Sequence, residues 1–187
     1  MDWTLRSCEL SIELPHGVTF SLLTMNRDER GSLTEIFREE WFDGSEPCQW
    51  NLTKTKANVL RGVHVHYKHS DHMVVVDGKL SVGLYDARPK SPTYRRTVLL
   101  EFCAEPLSAL RLPVGIMHGF YAHEPTTYVY GVDAYYDPED ELGCHWADPT
   151  LAIPWPCQHP ELSERDKCAV AFGKVQAQLL ALNPSLG

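Results

Sequence analysis

No run of apolar residues in this 187-residue sequence approaches the ~18 needed for a membrane helix, so a helical membrane span is excluded. Positive charge is scarce as well. A formal net charge of -8 at pH 7 argues against a nucleic-acid binder. It does not exclude a small anionic ligand, because a few local arginines can hold a phosphate inside an acidic protein. The sequence has no C-x-x-C pair. Its six cysteines, Cys8, Cys48, Cys103, Cys144, Cys157 and Cys168, are widely spaced, which excludes metal-knuckle and dithiol redox motifs and leaves free thiols of a reducing compartment. The opening Met1-Asp2-Trp3-Thr4 has neither a basic region nor an apolar one, so no secretory signal is read and a cytoplasmic location is expected. Asn51-Leu52-Thr53 then matches a glycosylation acceptor only by chance. Internal repeats, low-complexity tracts and linkers are also lacking. With 43% apolar and 22% charged residues, the chain reads as one domain, 1–187, with a sizeable core.

What is present is mostly β pattern. Residues 1–58 read as N-terminal strands. Within them residues 1–25 alternate apolar and polar around Leu14-Pro15-His16-Gly17, giving two short strands and a turn. Asp28-Glu29-Arg30-Gly31 is a charged turn, residues 32–41 read equally as a short helix or a strand, and 43–47 is loop. Strands are then expected over 49–53, 59–66, 73–76, 79–85, 97–102, 109–113, 118–123 and 127–136, the core of a barrel over 59–138. Asp77-Gly78 predicts a tight hairpin between two of them. Many short strands at near-regular spacing mean a sandwich or barrel and not β-α units. Cys168, Phe172, Val175, Leu179 and Leu182 recur at helical spacing behind Ser163, a capping residue, and predict one amphipathic C-terminal helix over about 163–182. The fold class is therefore all-β, a sandwich with one helix packed outside.

The densest chemistry lies in Val59-Leu60-Arg61-Gly62-Val63-His64-Val65-His66. In an extended strand His64 and His66 share one face, and Val63 and Val65 share the other. Imidazoles facing a cavity suit proton transfer or metal ligation. For a metal, His64, His66, Asp71 and the His118 of Pro113-x-Gly115-x-x-His118 make most of the pattern found in cupin barrels, with Asp for the usual Glu and Ala122 where that pattern has Asn. For proton transfer, Tyr130 and Tyr136 share a face of the following strand, and a phenol can give or take a proton. A histidine on one side of a sugar ring and a tyrosine on the other would invert a carbon. Each feature also has a structural use: tyrosines fill sandwich cores, Asp166 can serve as partner of the Ser163 cap, and Arg61 can be an ordinary edge arginine. Asp166 could instead orient a histidine, and Arg61 could clamp an anion.

Several fragments in order carry a resemblance: Asp28-x-Arg30-Gly31-x-x-x-Glu35; Gln49-x-Asn51; Arg61-Gly62-x-His64; Asp86-x-Arg88 with Ser91-Pro92-Thr93; Pro113-x-Gly115-x-x-His118-Gly119-Phe120; Tyr130 with Tyr135-Tyr136-x-Pro138; Trp146-x-Asp148-Pro149 with Ile153-x-Trp155-Pro156; and Leu162-Ser163-x-x-Asp166. From about Asp28 to Asp166 the chain resembles the dTDP-4-dehydrorhamnose 3,5-epimerases, cupin-type epimerases of nucleotide-linked 4-keto sugars. The resemblance implies a cupin-type jelly roll, an isomerase acting at C3, C5 or both, a nucleotide-sugar substrate, no cofactor and no metal, and a homodimer. It implies His64 as the base, Asp166 as its orienting partner and Tyr130 as the acid. Arg61 and Gln49 match phosphate-holding positions, and Asn51, His118 and Tyr136 match pocket-lining ones. Arg30 and Glu35 match positions near the nucleotide base that are supplied across the dimer.

The chain departs from the family pattern at identifiable places. Asp71 stands where the family has a lysine that stabilises the developing enolate, Val74 where it has an arginine, and His66 where glutamine is usual. Ser32 and Leu33 replace aromatics, and Lys68 in a shortened loop is a candidate substitute for the missing lysine. Two other readings stay open beside the epimerase: a metal-dependent cupin enzyme using His64, His66, Asp71 and His118, and a cupin that binds a sugar nucleotide without turning it over.

Overall fold

Two antiparallel sheets face each other in the computed structural model, which describes residues 6–7 and 11–187. One sheet runs in the order β1 (Arg6–Ser7), β2 (Thr19–Leu22), β10 (Ser108–Leu112), β7 (Asp71–Asp77), β12 (Thr126–Val132), β5 (Gln49–Thr55). The other runs β13 (Leu142–Gly143), β6 (Leu60–Val65), β11 (Ile116–Ala122), β8 (Lys79–Asp86), β9 (Thr97–Cys103). A separate hairpin, β3 (Met25–Asp28) with β4 (Gly31–Thr34), stands apart from both. The all-β sandwich expected from the spacing is the fold observed. Cys8 and most of the first expected strand lie outside the described residues.

Alternation along the strands builds three apolar layers. Between the sheets lie Met73 and Val75 of β7, Leu80, Val82 and Leu84 of β8, Val98, Leu100 and Phe102 of β9, and Leu110 and Leu112 of β10. Each such fully buried side chain contributes about 1.5–3 kcal/mol relative to exposure. Outside the second sheet, Val63 and Val65 of β6 pack with Phe172, Val175 and Leu179 of the helix α2 (Phe172–Leu182). Outside the first, Val74 and Ala109 pack with Leu23, Ile36 and Trp41. The valines of β6 thus face the helix, which leaves His64 to point the other way.

The structure corrects several sequence expectations. Asp77-Gly78 does not close a hairpin, because β7 and β8 belong to different sheets. Gly78 (φ 85°) instead turns the chain from one sheet to the other where a Cβ would come within 2.6 Å of Thr126 Oγ1, so only glycine fits. The C-terminal helix is two helices, α1 (Glu164–Lys167) and α2, because Val170 leaves the helical path to bridge Cys144 and Asp148 accepts from the Phe172 N–H at 2.9 Å. Cys168 and Leu182 are consequently exposed rather than on a buried stripe. The ambiguous stretch resolves into β4 followed by a 3-10 turn over Glu39–Trp41. The last barrel strand ends at Val132, so Tyr135 and Tyr136 lie beyond it.

Candidate active site

One end of the sandwich opens into a cavity of about 610 Å³, within the range of small-ligand sites. Its walls come from both sheets. Gln49, Asn51, Asp71, Met73, Tyr128 and Tyr130 contribute from the first, and Arg61, His64, His118 and Phe120 from the second. Register fixes these placements: His64 lies opposite His118, and Tyr130 lies between Asn51 and Met73. Gly62 (φ 120°) allows this approach of β6 to β11, since a Cβ there would fall 2.7 Å from the Gly119 Cα and 2.8 Å from the His118 carbonyl oxygen. Tyr136 reaches the same cavity from its loop, where its N–H donates to Gln49 Oε1 at 3.0 Å.

Asp166 comes from the far end of the chain. Ser163 caps α1 by accepting the Asp166 N–H at 3.1 Å. The Asp166 carboxylate engages the Ser163 side chain in turn, but also reaches beyond the cap. Oδ1 lies 2.7 Å from His64 Nε2, and Oδ2 accepts the Gly62 N–H at 3.4 Å. A carboxylate only accepts, so Nε2 carries the hydrogen and the lone pair is left on Nδ1. Burial works to raise the Asp166 carboxyl, but the bond to His64 and the Ser163 and Gly62 groups outweigh it and hold it below its ordinary value. Arg165 lies against the same ring, its Nη2 2.7 Å from Nε2 and 3.3 Å from Nδ1, with Nη1 3.2 Å from Glu141.

Across the cavity, burial, then Tyr128 and the carboxylates of Asp71 and Glu141, push the Tyr130 phenol up, so it is a protonated donor near neutral pH. The floor is a cluster of buried groups. Burial and neighbouring His69 push His66 down to about 3. Burial, with His66 and His64 adding to it, holds His118 well below its ordinary value. Burial pushes Asp71 up to about 7. His69 stacks on His66 with ring centres 3.9 Å apart and donates from Nδ1 to Asp140 Oδ2 at 2.6 Å. Asp140 also accepts the Tyr67 and Lys68 N–H groups at 2.6 and 3.0 Å, which ties down the loop that carries His66 into place.

Of the expected site residues, His64, Tyr130, Asp166, Gln49, Asn51, Arg61, His118 and Tyr136 line this single cavity. Arg61 donates from Nε to Thr55 Oγ1 at 3.0 Å, and Gln49 from Nε2 to Asn51 Oδ1 at 3.1 Å. Arg30 and Glu35 do not line it. Arg30 pairs with Asp28 at 2.5 Å in the β3–β4 hairpin, and Glu35 pairs with Arg38. Lys68 does not replace the missing lysine, because its ammonium pairs with Asp137 and is absent from the cavity wall. Val74 is buried on the outer side of its sheet. Sequence reasoning missed Arg165, Glu141 and His69. Only the adjacency of Arg165 to Asp166 could have signalled one of them, since the other two arrive through loop geometry.

Comparison with known proteins shows the family of the chain. The family model described as dTDP-4-dehydrorhamnose 3,5-epimerase matches residues 12–174. The chain is 32% identical over 166 residues to the dTDP-4-dehydrorhamnose 3,5-epimerase of Shigella flexneri, covering 84% of this chain and 91% of that one. Among solved structures it is similar to the dTDP-6-deoxy-D-glucose-3,5-epimerase RmlC from Legionella pneumophila in complex with dTDP-4-keto-L-rhamnose. There the TM-score is 0.83 and the identity 26%, with 95% and 97% of the two chains covered. It is also similar to ChmJ, a 3'-monoepimerase from Streptomyces bikiniensis in complex with dTDP-quinovose, with TM-score 0.81, 30% identity, and 95% and 93% coverage.

Proposed function

Because the chain belongs to the dTDP-4-dehydrorhamnose 3,5-epimerase family and is an isomerase of that class, we propose that it inverts a carbon flanking the C4 ketone of a dTDP-linked 4-keto-6-deoxy sugar, with His64 and Tyr130 on opposite faces of the ring. The observation that carries this reading is the His64–Asp166 hydrogen bond of 2.7 Å on one wall of a cavity whose other wall presents Tyr130. His64 Nδ1 takes the proton from C3 or C5. The bonding electrons move into the ring and leave an enolate at O4. Asp166 holds the ring in the tautomer that leaves the lone pair on Nδ1, which the substrate takes over from Arg165 Nη2, 3.3 Å away, and stabilises the imidazolium that forms. The Tyr130 phenol returns a proton to the opposite face, and solvent resets both groups. Arg61 and Gln49, on the cavity wall, hold the diphosphate.

A second copy completes the base end of the site in this reading. Supporting it, β5 is the outer strand of its sheet and exposes Trp50 and Leu52, Leu33 of the β3–β4 hairpin is exposed as well, and the pair Arg30 and Glu35 lies outside its own chain's cavity. Free thiols at Cys48, Cys103, Cys144, Cys157 and Cys168 suit a reducing compartment such as the cytoplasm. Incubation with dTDP-4-keto-6-deoxyglucose in deuterium oxide, followed by proton NMR, tests the reaction. Loss of the C3 or C5 proton signal is expected. A wild-type enzyme that exchanges neither proton of any dTDP 4-keto sugar is not an epimerase.

A further inference from the structure

Two departures of this chain from its family meet in space. His66 stands where the family has glutamine and Asp71 where it has the enolate-stabilising lysine, and both converge with His118 on the cavity floor. His66 Nε2 lies 3.8 Å and His118 Nε2 3.9 Å from the same oxygen, Asp71 Oδ2. The ligand atoms of the three residues all lie within 4.8 Å of one another. The remote nitrogens are already used: His66 Nδ1 donates to the Asp140 carbonyl and His118 Nδ1 to the Ile116 carbonyl, each at 3.0 Å. Both rings therefore turn a bare Nε2 lone pair toward Asp71. All three side chains are buried, and the three atoms facing one another include no fixed donor. Acceptors gathered like this in a poorly solvated place repel unless a proton or a metal cation joins them.

The arrangement has the marks of a metal centre. An imidazole whose far N–H is fixed on a carbonyl is oriented as metal-binding histidines are. Two imidazoles and one carboxylate leave coordination positions free and suit a first-row divalent ion. His64 stands outside the set, since its Nε2 is committed to Asp166, so the four-ligand alternative offered by the sequence is reduced to three. The neighbouring group of His66, His69 and Asp140 is closed by the 2.6 Å hydrogen bond between the last two.

We propose that His66, Asp71 and His118 bind a divalent first-row transition-metal ion, and that this ion, at the floor of the cavity, polarises the C4 ketone in place of the absent lysine. A divalent ion held by one carboxylate leaves a net single positive charge, the charge of the ammonium it replaces. The binding half stands on geometry alone, and the catalytic half rests on the epimerase reading. No electron transfer is involved: the ion only lowers the energy of the enolate that His64 generates.

The test uses the full-length protein stripped with dipicolinate and titrated with Co(II), whose visible d–d bands report coordination. Wild type is expected to bind one equivalent. H66Q, which restores the family residue, and D71N should each weaken binding by roughly tenfold or more. Co(II) should raise the melting temperature of wild type and not of the variants, which separates ligand loss from misfolding. The stripped enzyme should incorporate deuterium roughly 10²-fold more slowly, with recovery on adding Co(II) or Mn(II). Co(II) binding no tighter to wild type than to D71N overturns the site. Binding without any effect of stripping on exchange overturns the catalytic half. Stoichiometric, D71N-sensitive binding with no exchange on any dTDP 4-keto sugar supports the site and removes the epimerase reading instead.

Discussion

Replacing Asp166 with asparagine tests the proton-transfer scheme at its most constrained contact. Asp166 Oδ2 accepts the Gly62 N–H and Oδ1 meets His64 Nε2. An amide in the same place keeps its oxygen for Gly62 and turns its NH2 toward the histidine. That donor forces Nε2 to accept, so the ring hydrogen moves to Nδ1, the atom that must receive the substrate proton. Two losses combine. The charge-assisted bond to the forming imidazolium is worth about 1.5–3 kcal/mol, which is roughly 10- to 150-fold in rate at 1.36 kcal/mol per decade. The wrong tautomer adds to this, up to the ~10²–10⁴ that a positioned acid–base group supplies in total. The expected result for D166N is a ~10²–10⁴-fold fall in kcat with KM within about threefold. The assay is NMR-detected deuterium incorporation, with the melting temperature as a control for folding. A kcat within about threefold of wild type in a folded D166N protein would show that the carboxylate does not orient the base.

Four further outcomes follow from the geometry. Y130F should still exchange the substrate proton with solvent through His64 while giving about 10²-fold less inverted product, so an equal loss of exchange and inversion would place Tyr130 elsewhere in the reaction. Burial works to raise Asp86, but Arg88, Ser91 and Thr93 hold it below its ordinary value. Its contribution is therefore present above the unfolded value of about 3.9 and lost as pH falls through the lower folded value. D86N should accordingly cost about 3–5 kcal/mol in urea unfolding at neutral pH, and the difference from wild type should shrink below about pH 4; a pH-independent difference refutes this account. G83A would set a methyl 2.6 Å from Trp155 and 2.7 Å from Ile153, and a loss of about 1–3 kcal/mol in thermal unfolding is expected, against none if Trp155 can swing aside. L52E should convert the proposed dimer to monomer in sedimentation velocity, and an unchanged sedimentation coefficient would move the proposed interface away from β5.

Alternation was enough to read the sandwich, because residues such as Val63 and Val65 announce their face whatever lies beyond. What alternation cannot show is which strands become neighbours. Asp77-Gly78 has the composition of a hairpin, yet its glycine serves a passage between sheets fixed by contact with Thr126, 48 residues on from Gly78. Helical spacing likewise ran through Cys168–Ala171, where a long-range bridge from Val170 to Cys144 overrides local preference. The site was legible wherever its residues sit on strands in family order, as His64, His118 and Tyr130 do. It was illegible where loops deliver side chains, as with Glu141 and His69, and where two departures gain meaning only by meeting, as His66 and Asp71 do.

His64 and Asp166 are 102 residues apart along the chain, and α1 holds the second of them by a single serine cap. In the proposed scheme a ribosome therefore delivers the strands that carry His64 and Tyr130 before the group that orients the base. A copy cut short before this helix would, in that scheme, lack the carboxylate that orients the base.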